Sequence, residues 1–181
     1  MPHDGDHCGG DMRAVDVLLD GFGRVHNAVH GAVRGLTEAK LQERLDPDAN
    51  TIAWLIWHLS RVQDDHIAEV AGTEQVWSSG GWWQRFDLPF GQDETGYAQR
   101  SPDVAAVRAP AQLLLDYYDA VHAHTVSFVL ELRDEELSRV VDTRWDPHVT
   151  LGVRLVSVIS DDLQHAGQAA FIRGVVTRRA T

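Results

Sequence analysis

The chain has 181 residues, 44% of them hydrophobic, which is enough for one core and argues against two domains. Its formal net charge is −11, and its 16 basic side chains are scattered among 27 acidic ones. The clustered Lys and Arg needed to bind nucleic acid or an anionic membrane are therefore missing. No leader-like opening and no apolar run of about 18 residues occurs, so neither a signal peptide nor a transmembrane helix is expected, and the expected location is cytoplasmic.

Residues 1–10, MPHDGDHCGG, read as a flexible tail in front of a single domain over 11–181. The tail holds the one cysteine, Cys8, so no intramolecular disulfide can form, and a mobile terminus is a poor place for a nucleophile. His3 and His7 in it are adventitious metal donors. From Met12 to Val33, Val15, Leu18, Leu19, Phe22, Val25, Val29 and Val33 recur at threes and fours, one apolar stripe of a first helix. GLTEAKLQERLDPDAN is a structured connector, with Thr37 as an N-cap and Asn50 as the cap of the next helix. The second helix, NTIAWLIWHLSRVQDDHIAEVAG, turns Ile52, Leu55, Ile56, Leu59, Val62, Ile67 and Val70 inward and stops at Gly72.

Between Thr73 and Ala109 the pattern dissolves into Gly, Ser, Pro and aromatics. A connector of that length is either functional or carries short elements of its own. A third helix starts near Pro110, residues 134–147 connect again, and Thr150 caps a fourth helix ending in Arg178 and Arg179. The expected fold is all-α, a four-helix bundle with long connectors between helices one and two, two and three, and three and four.

Such bundles carry ligands on facing helices, pointing inward. In SDDLQHAGQ, Asp161 and His165 are four residues apart, about 40° around the axis and one turn along it, so both can reach one ion. His58 stands at or beside the inner face of the second helix. Two imidazoles and a carboxylate suit Zn²⁺, Ni²⁺ or Fe²⁺ with positions left open; on spacing alone, a satisfied core histidine and a solvated Asp/His pair are the commoner origin of such a pattern. His26 and His30 have the spacing of a bidentate site but lie beside their stripe, as boundary residues. His122 and His124 point about 160° apart and cannot share an ion. His66, about 12 Å along the axis from His58, is too distant to join it. Asp64 and Asp65 read as a solvated face, with Asp65 also placed to border a pocket mouth.

The second-helix stretch and DDLQHAGQAAFIRG resemble the DinB-like superfamily of metal-binding four-helix bundles, which includes mycothiol- and bacillithiol-dependent transferases and the mycothiol-dependent maleylpyruvate isomerase. That resemblance, over most of the chain, implies His58, Asp161 and His165 as ligands of a divalent ion, Zn²⁺ or Ni²⁺. Asp161 departs from the family's more familiar His or Glu, which leaves Asp162 as a rival ligand. The implied activity is a thiol S-transferase, in which a low-molecular-weight thiol, mycothiol, attacks a small electrophile. The alternative is a non-catalytic small-ligand-binding or stress-response protein that keeps the bundle and the ion. A third reading is a metal-free structural or dimerising bundle; dimers are common among such folds, although no interface pattern marks one here.

The Lys-poor, Arg-rich composition fits an actinobacterial source, where mycothiol is the thiol. Trp77, Trp82, Trp83 and Phe86 then offer a pocket wall or, equally, a cap on the core, and Arg85 or Arg61 offers charge for an anionic substrate. Asp162 and Gln168 are candidates to orient the ligands. Ala166 and Gly167 would permit close approach of a neighbouring helix.

Overall fold

The computed structural model describes residues 12–179. The tail, with Cys8, His3 and His7, lies outside the described residues. Four long helices dominate: α1 (Ala14–Val33), α3 (Ile52–Ala71), α7 (Ala111–Glu131) and α8 (Leu151–Arg178). Each of α1 and α3 packs on both α7 and α8, so α1 lies diagonally across from α3, and α7 from α8. The expected all-α bundle is the observed one, and no helix among the described residues is long and apolar enough to cross a membrane.

The stripe of α1 is buried as its spacing requires, through Val15, Leu18, Phe22, Val25, Val29 and Val33. In α8, Leu151, Leu155, Val158, Asp162, Ala166, Ala169, Ile172 and Val176 form the buried series, so an aspartate occupies a core position between Val158 and Ala166. The α3 helix is buried nearly all round, including Trp57, Ser60, Arg61, Gln63 and Asp64, because the bundle covers one side and the following connector covers the other. It begins one residue later than the sequence suggested: Thr51, not Asn50, is the N-cap, its Oγ1 accepting from the Trp54 amide at 3.0 Å. Gly72 closes it with φ 69°, a left-handed conformation that glycine adopts without steric cost.

The connectors hold local structure. Thr37 caps the short α2 (Glu38–Leu41) through the Lys40 amide. The long connector carries α4 (Val76–Ser79), α5 (Trp82–Phe86) and α6 (Ser101–Ala106). Residues 134–150 contain a 3₁₀ turn (Asp134–Ser138) and an antiparallel pair, β1 (Val140–Asp142) with β2 (Val149–Thr150). The β pair was not expected, because strands of three and two residues are too short to show an alternating pattern. Buried Arg154 of α8 ties this region down, its guanidinium bonding Asp142 of β1 and Glu69 of α3, while Arg144 bonds Asp142 from the other side at 2.7 Å.

The long connector is organised by Asp64 of α3, which has no exposed surface and is therefore not part of a solvated face. Its carboxylate accepts from the amides of Val76 and Trp77 at 2.8 and 2.7 Å and from the Tyr117 hydroxyl at 2.9 Å. A side chain of α3 thus supplies the acceptor that the start of α4 lacks locally. Arg61, one turn earlier and equally buried, stands 3.8 Å from Asp64. It donates to Gln75 Oε1 (2.7 Å) and to the carbonyls of Glu94 (3.1 Å) and Gln92 (3.5 Å). Arg61 therefore cannot meet a substrate, and that expectation is corrected. Its guanidinium is spent on holding residues 92–94 against α3.

Candidate metal centre

His58 is buried on α3, and its Nδ1 lies 2.6 Å from the Thr95 carbonyl oxygen. A carbonyl only accepts, so Nδ1 carries the proton and Nε2 presents its lone pair. Burial lowers the pKa of the ring from its ordinary value, which favours this neutral form. Trp54, one turn before, stacks on the imidazole at 4.6 Å and 16°, fixing its plane. The carbonyl arrives through Gly96, whose φ is +98° and where a Cβ would stand 2.7 Å from His58 Nδ1 and 3.1 Å from Trp57. Two constraints, the backbone conformation and the close approach, exclude a side chain there.

From α8, His165 brings its ring to 4.9 Å from that of His58. Its Nδ1 points to Gln168 Oε1, a long contact of 3.4 Å, and since an amide oxygen accepts, this contact also favours a free Nε2. That nitrogen lies 3.6 Å from Asp161 Oδ1, while Asp161 Oδ2 is buried with no hydrogen-bond partner. One ligand atom from each of His58, Asp161 and His165 falls within 4.8 Å of the others. Asp162 does not join them. One residue turns a helix by about 100°, which carries Asp162 into the core stripe, where both its oxygens are buried and unpartnered. Burial, followed by the neighbouring Asp161, pushes its carboxyl well above the ordinary range.

Beside the three groups opens a cavity of about 500 Å³ lined by His58, Asp161, Val62, Asp65, His66, Thr95, Tyr97, Arg144 and Trp145. Tyr97 and Trp145 are exposed at its rim. His66 accepts from Arg154 Nη1 at 2.9 Å through Nδ1, so its remaining ring nitrogen carries the proton.

A family model described as mycothiol-S-transferase matches residues 17–178. The chain belongs to the mycothiol-S-transferase family, within the DinB-like superfamily. No curated protein matches it. Among solved structures it is similar to one titled as the conserved protein of a locus from Enterococcus faecalis, with a TM-score of 0.83 and 33% identity over 90% of this chain and 96% of that one.

For this family member, a divalent ion suits the donor set. The Thr95 carbonyl holds His58 in the tautomer that frees Nε2, the Gln168 contact favours the same tautomer in His165, and the carboxylate beside them has a buried oxygen without a partner. Two nitrogens and one oxygen are ligands for a borderline transition ion.

Several expectations are corrected. Of the two readings left open for the connector aromatics, the core cap is the one observed for Trp77, Trp82 and Phe86, which are buried around Tyr117 and do not line the cavity. Trp83 borders a separate hollow of about 280 Å³ with Leu88, and Arg85 stacks on Trp82 at 3.9 Å and faces Asp116. Gly167 meets nothing, since a Cβ there would enter open space; Ala166 is the buried residue at the helix contact. Asp65 borders the cavity and accepts from Gln75 at 2.7 Å. Thr95, Tyr97, Arg144 and Trp145 were missed. They sit on irregular connectors, where no helical period marks which side chain turns inward.

Gly96→Ala should weaken metal retention about 10–100-fold, the usual cost of disturbing the outer partner of a ligating histidine. Competition for Zn²⁺ against a chromophoric chelator measures this. An unchanged affinity would mean that the Thr95 carbonyl does not orient His58.

Proposed function

We propose that the protein is a divalent-metal-dependent thiol S-transferase that uses mycothiol as cosubstrate, with His58, Asp161 and His165 as the ligands of Zn²⁺ or Ni²⁺. The observation that carries this reading is the hydrogen bond from His58 Nδ1 to Thr95, which leaves Nε2 with a free lone pair on a residue clustered with His165 and Asp161 at the edge of a cavity. A bound divalent ion of this kind lowers the pKa of a thiol until the thiolate predominates near neutral pH. The chain's own residues do the rest. Trp145 and Tyr97 offer apolar faces to a sugar-bearing thiol, and Arg144 and Asp65 offer a donor and an acceptor to its hydroxyl and amide groups. His66 presents an N–H to the same space.

In the transfer, a bond forms between the thiol sulfur and an electrophilic carbon, and the carbon's bond to the leaving group breaks with its electron pair. The thiol proton ends on that leaving group through solvent, so RSH and R′X give RSR′ and HX. A cytoplasmic location belongs to the same proposal, because a free low-molecular-weight thiol requires a reducing compartment.

The test is the metal content of untagged protein beside His58→Ala and His165→Ala, followed by mycothiol turnover. Each variant should hold about one equivalent less than the parent. Each should also lose about a hundredfold or more in kcat/KM, since even an outer partner of a ligand is worth about 10–100-fold. A parent that takes up no Zn²⁺ or Ni²⁺ sinks the metal reading. Full metal with tight ligand binding and no turnover would favour the non-catalytic binding protein.

A further inference from the structure

A second cluster of donors lies across the bundle. His26 and His30 of α1 both direct Nε2 at one atom, Asp119 Oδ1 of α7, at 3.0 and 2.7 Å. Their rings are 4.4 Å apart, and one ligand atom from each of the three residues falls within 4.8 Å of the others. A third imidazole, His122, sits one turn along α7 from Asp119 with its ring 4.6 Å from that of His26, and its Nδ1 is buried without a partner. The histidines are partly exposed, so an ion from solvent can enter. The His58 site lies on the contact between α3 and α8, whereas this one lies on the contact between α1 and α7, the opposite edge of the bundle.

We propose that His26, His30 and Asp119 form a second divalent-cation site, taking Zn²⁺ or a similar first-row ion and tying α1 to α7. Tetrahedral zinc with bonds of about 2.0–2.2 Å places its ligand atoms about 3.3 Å apart. The two nitrogens are already 2.7 and 3.0 Å from the oxygen, so each needs to part from it by less than about 1 Å to admit the ion. Loading replaces the two N–H bonds to Asp119 by bonds to the ion. Each ring then offers its Nε2 lone pair to the ion and carries an N–H at Nδ1 instead. His26 and His30 are held one turn apart inside a long rigid helix, and Asp119 stands inside another, so little ordering is left to pay for. The site is a cross-link and takes no part in thiol chemistry. His124, which points away and bonds Thr73 at 3.2 Å, lies outside it.

The test first removes the tail histidines and one ligand of the first centre. His3→Ala, His7→Ala and His165→Ala are combined in the full chain, which eliminates the tail histidines and the first centre, and Zn²⁺ alone is titrated by calorimetry and chelator competition. One equivalent with micromolar or tighter affinity is expected, together with a rise in melting temperature on loading. Adding Asp119→Asn, which keeps the shape but removes the anionic ligand, should weaken binding at least tenfold, and adding His30→Ala should abolish it. Absence of micromolar binding in the triple variant overturns the proposal. So does binding that survives both further changes. Because the first centre is already disabled, neither result depends on whether the protein is a transferase.

Discussion

Asp64→Ala is expected to lower the melting temperature by about 6–20 °C. The wild-type carboxylate is fully buried and accepts three hydrogen bonds, two from the amides that start α4 and one from Tyr117, with the buried Arg61 guanidinium beside it. Truncation strands all three donors and leaves a buried cation without its counter-charge. Breaking a buried pair in this way costs about 3–5 kcal/mol, a large share of a total stability of about 5–15 kcal/mol. In a chain of this size each kcal/mol corresponds to about 2–4 °C.

Arg61→Ala should cost a similar amount, and it should also weaken metal binding. Arg61 holds the Glu94 and Gln92 carbonyls, and the next residue along, Thr95, orients His58. Asp64→Asn, which keeps one acceptor oxygen, should fall between parent and Asp64→Ala. Thermal unfolding followed by circular dichroism reads all three, and a melting temperature for Asp64→Ala within about 2 °C of the parent would rule out the clamp.

Asp162→Leu is expected to act in the other direction, stabilising the protein by about 1–3 kcal/mol. Asp162 occupies a core position of α8 with both oxygens buried and no hydrogen-bond partner, and the Tyr118 hydroxyl, close enough to feel its charge, is likewise buried and unpartnered. A buried polar group left unsatisfied costs about 1–3 kcal/mol, and an apolar replacement removes that cost. The gain should appear as a rise of several degrees in melting temperature, accompanied by weaker metal retention if the carboxyl supports Asp161 next to it. A marked fall in melting temperature would show that the side chain is held by partners, or that the site has no room for leucine.

The burial of Asp162 bears on how SDDLQHAGQ should be understood. Its polarity has two sources on two faces. Asp161 and His165 turn toward α3 and the cavity, while Asp162 turns into the core, and only about 100° of helix separates adjacent residues. The four long helices, the inward stripes of the first two except Leu19 and Val62, the caps Thr37 and Thr150 and the stop at Gly72 were legible because helical period and capping are local properties of the chain. The pairing of Asp161 with His165 was legible for the same reason, since a separation of four residues places two side chains on one face whatever surrounds them.

Partners across helices had no such signature. Nothing local to Arg61 or Asp64 announces that a connector will fold over α3 and bury both, so each read as available to solvent or substrate. His26 and His30 read as boundary residues because Asp119, which both of them meet, is about ninety positions away in the chain. The tryptophans of the long connector could equally have walled a pocket or capped the core until Tyr117 was placed beneath them. Angular position on a helix follows from residue number alone. Burial, tautomer and the identity of a ligand's neighbours depend on which helices meet and what the connectors cover, and those are fixed by long-range packing.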